Sequence, residues 1–456
     1  FKEACKASIS QAFRMDRRPA ILYIGPSTSW KGYLEAIKAE ALVAVACIAE
    51  DYYGGPMNEF LPFRDLKAHG GAPALGFEAL IVHREPYRIL EQARTLEERN
   101  LLCFVGVLRA HEADTAVIDF VAAGLGVPHN PLATLLARRD KAAMKDALQE
   151  AGLAHAAFSR VVDSVQVANA VSRLGLPVVV KTPSCASSSD VFVCGTAEMA
   201  TQRVRELLGR PSPWGEHPSY VLVEEYLDGQ EYAVNVFADG KGKAIVTDVW
   251  AYERQQTLGG HVLYCAVRSV DPSAVPEACS YALGVCTAVG IQMEAGHVEL
   301  KLTKRGPVMV EVGARRPGGH KTEMLARMVP DWTPVTAQVR AACGREVAMP
   351  HDVSPAEHVR HLFFHVVRKG FVEAVEGEEA TRALKSCLVL SVRVKVGEAV
   401  PETTDIVSCA AFLWLVGSDQ QQLDADELAA RSLLKIVIGD SVDEEAGKSC
   451  KARRLH

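Results

Sequence analysis

Two short apolar runs joined by a turn predict a β-hairpin in residues 297–319, HVELKLTKRGPVMVEVGARRPGG. In each run a valine, leucine or similar residue occupies every second position, which is the period of a half-buried strand. Residues 304–306 fit a three-residue hairpin loop with Gly306 at the left-handed position. Pro307 then begins the return strand, where proline is tolerated, and Thr303 is expected to pair with it.

This register places two carboxylates opposite each other. Counting outward from the turn, Lys301 opposes Met309 and Glu299 opposes Glu311, with about 5 Å between the paired Cβ atoms. Like charges at that distance are destabilising unless a cation lies between them, and a divalent metal ion is a natural candidate. The alternative is that Lys301 or Arg315 neutralises a solvated pair. The rest of the sequence has to separate the two interpretations.

Composition excludes several classes of partner. The chain has 456 residues, 48% of them apolar and 23% charged, which is typical of a globular protein of two to four domains. A net charge of -6 argues against a nucleic-acid or membrane-surface partner. The twelve cysteines form no CxxC pair and sit in apolar runs, as reduced intracellular thiols do. No apolar stretch approaches ~18 residues and no signal-peptide core is present, so we expect a cytoplasmic protein.

Strand and helix patterns divide the chain into four parts. Residues 1–130 alternate strands and helices, as in a parallel α/β domain, but their first turn lacks the GxGxxG spacing of a dinucleotide site. Residues 131–215 hold two helices and the buried strand LPVVVK. Residues 216–345 are rich in strands, and residues 346–456 form a smaller α+β module. The predicted fold class is therefore α/β and α+β.

Two lysines occupy positions that require an anion. Lys141 begins a helix capped by Asp140, where the helix dipole disfavours a cation unless an anion is near. Lys181 closes the apolar strand PVVVK and needs an anionic partner or a route to solvent. The alternative for Lys141 is a solvated surface lysine. The loop after Lys181 either wraps phosphates with its amides and hydroxyls or is an ordinary flexible loop; it contains Ser187, Ser188 and Ser189.

Further acids and an arginine complete a set of candidate ligands. Glu224 and Glu231 flank a short connection whose peptide groups can bond a flat heterocycle, and an acid can accept from an exocyclic amine or from ribose hydroxyls. Glu299 and Glu311 offer the hard oxygen ligands that suit Mg²⁺. Arg315 adds a planar fork for phosphate oxygens.

In this order along the chain, these residues resemble the ATP-grasp superfamily, and the resemblance covers nearly the whole sequence. Three segments are similar to its carboxylate–amine ligase branch, which includes bacterial L-amino acid ligases: LRAHEADTAVIDFVAAGLGVPHN, ARRDKAAMKDALQEAGL and TDVWAYE. The resemblance implies that residues 131–215 and 216–345 are the two α+β subdomains of an ATP-grasp fold. An N-terminal parallel α/β domain would help to shape the substrate cleft, and a small C-terminal α+β module would follow.

The resemblance also implies a role for each candidate residue. The phosphates of ATP would be bound by Lys141, by Lys181, which also reaches the adenine edge, and by the loop of Ser187, Ser188 and Ser189. Adenine would lie against Glu224 and the backbone of Glu225, Tyr226 and Leu227, with Glu231 on the ribose. Mg²⁺, with Mn²⁺ as an alternative, would be held by Glu299 and Glu311, and Arg315 would steady the transferring phosphate.

Two positions depart from the family pattern. Gly313 stands where the family often has asparagine, two residues after the second metal glutamate, which removes one possible ligand of a second metal ion. The phosphate loop of the family usually contains glycine, whereas this loop has three serines. Serine still supplies amides and hydroxyls, so the loop is interpreted as stiffer and still able to bind phosphate.

The implied reaction joins a carboxylate to an amine. The carboxylate attacks the γ-phosphate of ATP, giving an acyl phosphate and ADP, and the amine then displaces phosphate to form an amide. The expected partners are small carboxylates and amines, amino acids in particular, and a homodimer is common in this family. Three residues are candidates for substrate binding: Glu112 for an amine, His261 and Arg268. A solvated loop role for His261 and a surface role for Arg268 are the alternatives.

Two other functions are compatible with the same residues. An ATP-grasp carboxylase or phosphotransferase would use the same phosphate chemistry on bicarbonate or another acceptor. A nucleotide-binding regulator without turnover is a different class, and Gly313 is its one hint.

Overall fold

The computed structural model describes residues 17–25, 30–48, 71–109, 114–184, 190–211, 217–257, 260–318, 321–330 and 332–439. The chain divides into two compact units. The first consists of Phe1–Ala186, Cys194–Trp250 and Val270–Pro355, and the second of Ser187–Val193, Ala251–Ser269 and Ala356–His456. Within the described ranges, no helix is long and apolar enough to cross a bilayer. The boundaries of the four predicted parts stay a prediction.

A parallel sheet begins the first unit, which confirms the predicted N-terminal α/β domain. Its strands follow the order β3-β2-β1-β4 and are β1 (Arg18–Ile24), β2 (Val43–Ile48), β3 (Ala79–Val82) and β4 (Leu102–Arg109). The connecting helices are α1 (Trp30–Ala39), α2 (Pro86–Asn100) and α3 (Thr115–Leu125). Strand β1 is buried over five consecutive residues because helices cover both faces of a parallel sheet.

The next part of the first unit pairs three helices with antiparallel strands. The helices are α4 (Lys141–Glu150), α5 (Val167–Leu174) and α6 (Ala197–Leu208). The strands are β5 (Phe158–Val161), β6 (Val178–Lys181) and β8 (Val221–Glu225), in the order β5-β8-β6. Helix α4 begins where the sequence predicts, because the Asp140 carboxylate accepts hydrogen bonds from the amides of Ala142 and Ala143, both at 2.9 Å.

A second antiparallel sheet in the first unit carries the glutamate hairpin. Its strands are β9 (Gln230–Asp239), β10 (Ala244–Gln256), which continues into the second unit, β12 (Met293–Thr303) and β13 (Gly306–Gly313), in the order β13-β12-β9-β10. Val234, Val298 and Leu300 pack with helix α7 (Pro276–Ala288) in one apolar cluster. Because side chains alternate along a strand, Asn235 and Glu299 face the other side of the sheet.

Two helices close the first unit. They are α8 (Lys321–Met328) and α9 (Pro334–Ala342). Helix α9 packs on the N-terminal sheet, where Val339 and Ala342 share an apolar cluster with Ile21 and Tyr23. The approach is close at Gly106, since a Cβ atom at this position would lie 2.5 Å from the Ala342 carbonyl oxygen.

The second unit confirms the predicted C-terminal α+β module. Strands β11 (Val262–Val270), β14 (His358–Phe364), β18 (Ala411–Gly417) and β16 (Cys387–Val392) lie side by side in that order. A smaller sheet has the order β17-β15-β19, with β15 (Gly370–Glu376), β17 (Ala399–Val400) and β19 (Lys435–Gly439). The remaining elements are β7 (Val191–Cys194), α10 (Glu378–Arg382) and α11 (Gln420–Leu433).

Candidate functional site

The paired glutamates of the hairpin oppose each other, as predicted. Glu299 on β12 lies directly opposite Glu311 on β13. The route to this register differs from the prediction, however. The turn has two residues, so Thr303 pairs with Gly306, and a bulge near Glu299 leaves Val310 as an extra residue on β13. The turn is one residue shorter than predicted and the return strand has one extra residue. The two differences compensate, so Glu299 still lies opposite Glu311.

The other predicted pairs of the hairpin are therefore wrong. Thr303 does not pair with Pro307, and Lys301 opposes Val308 instead of Met309. The loop at 304–306 was expected to have three residues because Gly306 favours the left-handed region. Gly306 does adopt φ +91°, but it does so as the first residue of the return strand.

Each glutamate of the pair has a basic partner. Glu299 is buried, and its Oε1 lies 3.3 Å from Nε2 of His297. Glu311 is half-buried, and its Oε2 lies 2.9 Å from Nζ of Lys141. Two carboxylates on one sheet face are hard oxygen donors of the kind that Mg²⁺ takes together with substrate phosphates, so this donor set fits the ion.

Lys141 is not a solvated surface lysine. The first turn of α4 buries it to 2% exposure, and its ammonium reaches the glutamate of the neighbouring hairpin. An ammonium in that setting needs an anion, which Glu311 supplies. The prediction that Lys141 lies beside an anion is confirmed, and the solvated alternative is wrong.

A buried carboxylate joins Lys181 to a second lysine. Glu224 Oε2 lies 2.9 Å from Nζ of Lys181, and its Oε1 lies 2.7 Å from Nζ of Lys145. Burial opposes ionisation of Glu224, but the two ammonium groups outweigh burial and hold its pKa below the usual value. Lys181 also donates to the carbonyl of Val310, at 3.3 Å, beside the metal-ligand candidate Glu311. Lys181 and Glu224, which were predicted to bind phosphate and adenine, thus lie together beside the hairpin.

Lys145 is a further buried lysine that was not among the predicted site residues. Burial lowers the pKa of this lysine to about 8, although Glu224 opposes the shift. The sequence does indicate that Lys145 is buried. It follows Lys141 by four residues and lies between Met144 and Leu148 on the apolar face of α4. A lysine on a buried helix face needs a carboxylate, and only the tertiary structure identifies it as Glu224.

The connection predicted to hold adenine is tied to the hairpin. Lys301 donates to the Leu227 carbonyl at 3.0 Å, and its ammonium lies 4.9 Å from the centre of the Tyr226 ring. Glu225 accepts from the amide of Ala157 at 2.8 Å. Glu231 is buried and lies opposite Lys301 in the β9–β12 register. These contacts order the segment from Glu224 to Glu231 along one edge of the site.

A buried polar network supports the loop that carries Arg315. Arg109, at the end of β4, donates to the Ala314 carbonyl at 3.0 Å and pairs with Asp119 at 2.8 Å. Its guanidinium also lies 3.8 Å from Glu294. Burial raises the pKa of Glu294 to about 7, despite the attraction of Arg109. Arg315 itself donates to the Arg316 carbonyl at 3.0 Å. This network was not predicted from the sequence, because Arg109 and Ala314 are far apart in the chain.

The remaining predicted residues lie elsewhere or outside the described ranges. Glu112 and the serines at 187–189 are outside the described residues. Arg268 belongs to the second unit, where it pairs with Glu253 at 2.7 Å and with Glu427 at 2.5 Å. His261 lies in the same unit, edge-on to Phe192 with 5.2 Å between ring centres. A substrate role for these residues stays a prediction.

Comparison with known proteins adds to this geometry. Residues 174–323 match the family model of the ATP-grasp domain, and residues 362–439 match that of the L-amino acid ligase C-terminal domain 2. The chain carries an ATP-grasp domain followed by an L-amino acid ligase C-terminal domain. The resemblance to the carboxylate–amine ligase branch is therefore confirmed. The ATP-grasp domain includes Lys181, Glu224 and both hairpin glutamates, whereas Lys141 precedes it.

Similar proteins support the same assignment of fold. Dapdiamide A synthase of Enterobacter agglomerans is 26% identical over 51% of this chain and 55% of its own length. A phosphoribosylamine–glycine ligase of Streptococcus pyogenes is 26% identical over 47% of this chain and 54% of its own length. The chain thus spans about half the length of these curated relatives. The L-amino acid ligase of Bacillus licheniformis has a TM-score of 0.73 at 17% identity, covering 93% of this chain and 100% of that one. That likeness confirms the predicted fold class around the ATP-grasp domain.

Proposed function

We propose that this protein is an ATP-dependent ligase that joins a small carboxylate to an amine, with amino acids as substrates, and releases ADP and phosphate. The observation that carries the proposal is the opposition of Glu299 and Glu311 beside Lys141 and Lys181. Each member of this group is buried or half-buried, and acids and bases meet at 2.9 to 3.3 Å. Such a group fits a metal–polyphosphate complex better than any role in surface solubility.

The residues fit a division of labour in the reaction. Glu299 and Glu311 would hold Mg²⁺, which supplies positive charge to the phosphates when it is bound. Lys141 and Lys181 add fixed positive charge at the point where a substrate carboxylate has to approach a polyphosphate. Arg315 would offer its guanidinium to the transferring phosphate. Catalysis of this kind rests on positioning and on electrostatic stabilisation, not on covalent chemistry by the protein.

The nucleotide end of the site would use the second buried group. Glu224 is fixed by Lys145 and Lys181, so its carboxylate has a defined position beside the connection from Glu225 to Leu227. Peptide groups and an ordered acid are able to recognise the edge of adenine, and Glu231 would accept from ribose hydroxyls. The ATP-grasp domain supports ATP as the phosphate donor in this proposal.

The proposal is tested by ADP release. The wild-type protein is incubated with ATP, Mg²⁺ and all pairs of the twenty amino acids, and then with small carboxylic acids and bicarbonate. Amine-dependent ADP release with an amide product supports the ligase. Release with bicarbonate and no amine would indicate a carboxylase, and tight ATP binding without turnover a regulator. Cytoplasmic localisation and a homodimer are further predictions, which fractionation and ultracentrifugation test.

Matched variants connect the activity to the glutamate pair. Glu311→Gln removes one carboxylate at nearly constant size, and we expect it to lower Mg²⁺-dependent turnover by at least about 100-fold. Glu277→Gln makes the same change at an exposed position in the first turn of α7 and should leave turnover unchanged. Equal activity of the two variants would contradict the assignment of the site.

A further inference from the structure

A histidine lies beside the glutamate pair on the same face of the sheet. His297 precedes Glu299 by two residues on β12, so their side chains point to the same side. In the strand register His297 lies directly opposite Asn235 on β9 and directly opposite Gly313 on β13. Because Gly313 has no side chain, the imidazole of His297 and the amide of Asn235 are the polar groups of this row. They adjoin the row that contains Glu299 and Glu311.

A chain of contacts connects this row to the neighbouring strand β10. Nδ2 of Asn235 donates to Oδ2 of Asp248 at 2.5 Å. Oδ1 of Asn235 lies 2.6 Å from Nδ1 of His297, and Nε2 of His297 lies 3.3 Å from Oε1 of Glu299. The strands β10, β9 and β12 are adjacent in the sheet, so these contacts run across three strands toward a predicted metal ligand. We refer to Asp248, Asn235 and His297 as the relay.

Hydrogen-bond geometry fixes the direction of the relay. Asp248 accepts from the indole N–H of Trp250 at 2.5 Å and from the hydroxyl of Thr247 at 2.6 Å. It is an acceptor for the amide nitrogen of Asn235 as well, whose carbonyl oxygen then faces His297. A carbonyl oxygen only accepts, so Nδ1 of His297 carries the hydrogen of this contact. Nε2 is then the ring atom that holds Glu299.

Packing alone does not require the relay. Its members are 1 to 6% exposed, and buried polar groups cost free energy unless they are hydrogen-bonded. On the other face of the same strands, Val234 and Val298 pack in an apolar cluster. The structural alternative is a self-contained buried network, which would need no carboxylate at its end. This relay ends on Oε1 of Glu299, the residue that lies opposite Glu311.

We infer that His297, held by Asn235 and Asp248, positions Glu299 to ligate the metal ion through a single oxygen and so favours Mg²⁺ over Ca²⁺. The inference rests on the metal site of the proposed ligase and adds to it a positioning residue, which acts through Glu299 and does not touch the ion. Mg²⁺ requires near-ideal octahedral geometry at about 2.0 to 2.1 Å, whereas Ca²⁺ also accepts both oxygens of one carboxylate and irregular geometry. A carboxylate whose Oε1 is bonded to His297 is kept from turning both oxygens toward one ion.

Calorimetric titration of ADP tests this inference without turnover. The full chain is titrated with ADP in EDTA, in excess Mg²⁺ and in excess Ca²⁺, and the gain from each ion is the ratio of the dissociation constants without and with it. In His297→Leu the gain from Mg²⁺ should fall by roughly 10- to 100-fold, the range for outer partners of metal ligands. The gain from Ca²⁺ should fall less, and the affinity for ADP in EDTA should equal that of wild type. An unchanged gain from Mg²⁺, or equal losses for the two ions, would overturn the inference.

Further variants separate positioning from a loss of structure. His297→Gln offers an N–H to Glu299 and should keep part of the gain from Mg²⁺; it carries the test if His297→Leu does not bind ADP in EDTA. Asn235→Ala acts through His297, so the double variant Asn235→Ala/His297→Leu should lose no more than His297→Leu alone. Additive losses would overturn the relay. His351→Leu changes an exposed histidine of the first unit and should behave as wild type.

Pulsed electron paramagnetic resonance decides between positioning and direct ligation. With Mn²⁺ and ADP bound, a positioning role predicts no coupling of the strength of a directly bound imidazole nitrogen, because the carboxylate of Glu299 lies between the ring and the ion. A coupling of that strength in wild type, absent from His297→Leu, would make His297 a metal ligand and would overturn the inference.

The outcome is separable from that of the proposed function. If wild type shows no amine-dependent ADP release but His297→Leu loses the gain from Mg²⁺, the reaction is wrong and the positioning role stands. If the ligase reaction is found and His297→Leu keeps the gain from Mg²⁺, the reaction stands and the positioning role is wrong. Wild type without any gain from Mg²⁺ would also overturn the inference.

Discussion

Replacement of Lys145 by methionine is expected to remove a pH-dependent part of the stability. Burial lowers the pKa of Lys145 from 10.5 to about 8, and Glu224 only partly offsets that effect. Between these two values the unfolded chain keeps a proton that the folded protein has released. Folding therefore becomes more favourable as the pH rises through this window, since the unfolded state binds more protons. Lys145→Met lacks the titrating group, so its stability should not show this rise with pH.

The size of the effect follows from the shift in pKa. One pKa unit corresponds to about 1.4 kcal/mol, so with a shift from 10.5 to about 8 the stability of wild type rises by roughly 3 kcal/mol between pH 8 and pH 10.5. Methionine retains most of the aliphatic length, so the packing of α4 against its neighbours changes little. Glu224 keeps Lys181 as a partner, at 2.9 Å.

Urea unfolding measures the difference. Tryptophan fluorescence reports on the first unit through Trp30, Trp250 and Trp332, and the titrations run from about pH 7 to pH 10. With a slope near 3 kcal/mol/M, the midpoint of wild type should rise by up to about 1 M relative to Lys145→Met. The exposed Lys243→Met serves as a control that keeps the wild-type dependence. Parallel pH profiles for wild type and Lys145→Met would refute the reasoning.

Three further predictions follow from other residues. Glu311→Gln removes the carboxylate that pairs with Lys141 and leaves the metal ion with one predicted carboxylate ligand. The rate of ADP release in a steady-state assay should therefore fall by at least about 100-fold. The pKa of Glu294 in the folded protein is raised to about 7, so the free energy of unfolding falls as the pH rises from 4.5 to 7. At pH 8 the free energy of unfolding of Glu294→Gln should exceed that of wild type by up to roughly 3 kcal/mol, and at pH 4 the two should be equal. Circular dichroism melts that show no difference at pH 8 would mean that the pKa of this carboxyl is not raised. Gly106→Ala forces a methyl group against the Ala342 carbonyl and should lower the free energy of unfolding by about 1 to 3 kcal/mol in the same melts. An unchanged free energy of unfolding would mean that α9 shifts to make room.

Local sequence patterns sufficed for the residues whose partners are near in the chain or follow a strict period. The cap at Asp140 depends on amides two and three residues ahead, and the alternation around Glu299 fixes the face of the sheet. The opposition of Glu299 and Glu311 was predicted correctly through two errors of opposite sign, the turn length and the absent bulge. A bulge leaves no clear mark in the sequence, because its extra residue is an ordinary valine, Val310.

Tertiary contacts decided the rest. The partner of Lys145 is 79 residues away at Glu224, and Arg109 meets Ala314 across 205 positions. Glu294 adopts φ +67°, which is unusual for a residue other than glycine, so neither its backbone nor its burial follows from local propensity. Packing of the N-terminal sheet against α9 creates this environment. One sequence carries no direct information about such distant pairs.

The bulge at Val310 has a consequence for how the hairpin tip can vary. The bulge adds one residue to β13 between the turn and Glu311. The pairing of Glu299 with Glu311 therefore depends on the length of the turn and on the presence of the bulge together. The present sequence would keep the same pair with a three-residue loop at 304–306 and a straight return strand, and a variant with one residue inserted at the tip would do so with a four-residue loop. The carboxylates would keep their opposition while the rim of the site changes shape, so the tip is free to diverge without loss of the metal ligands.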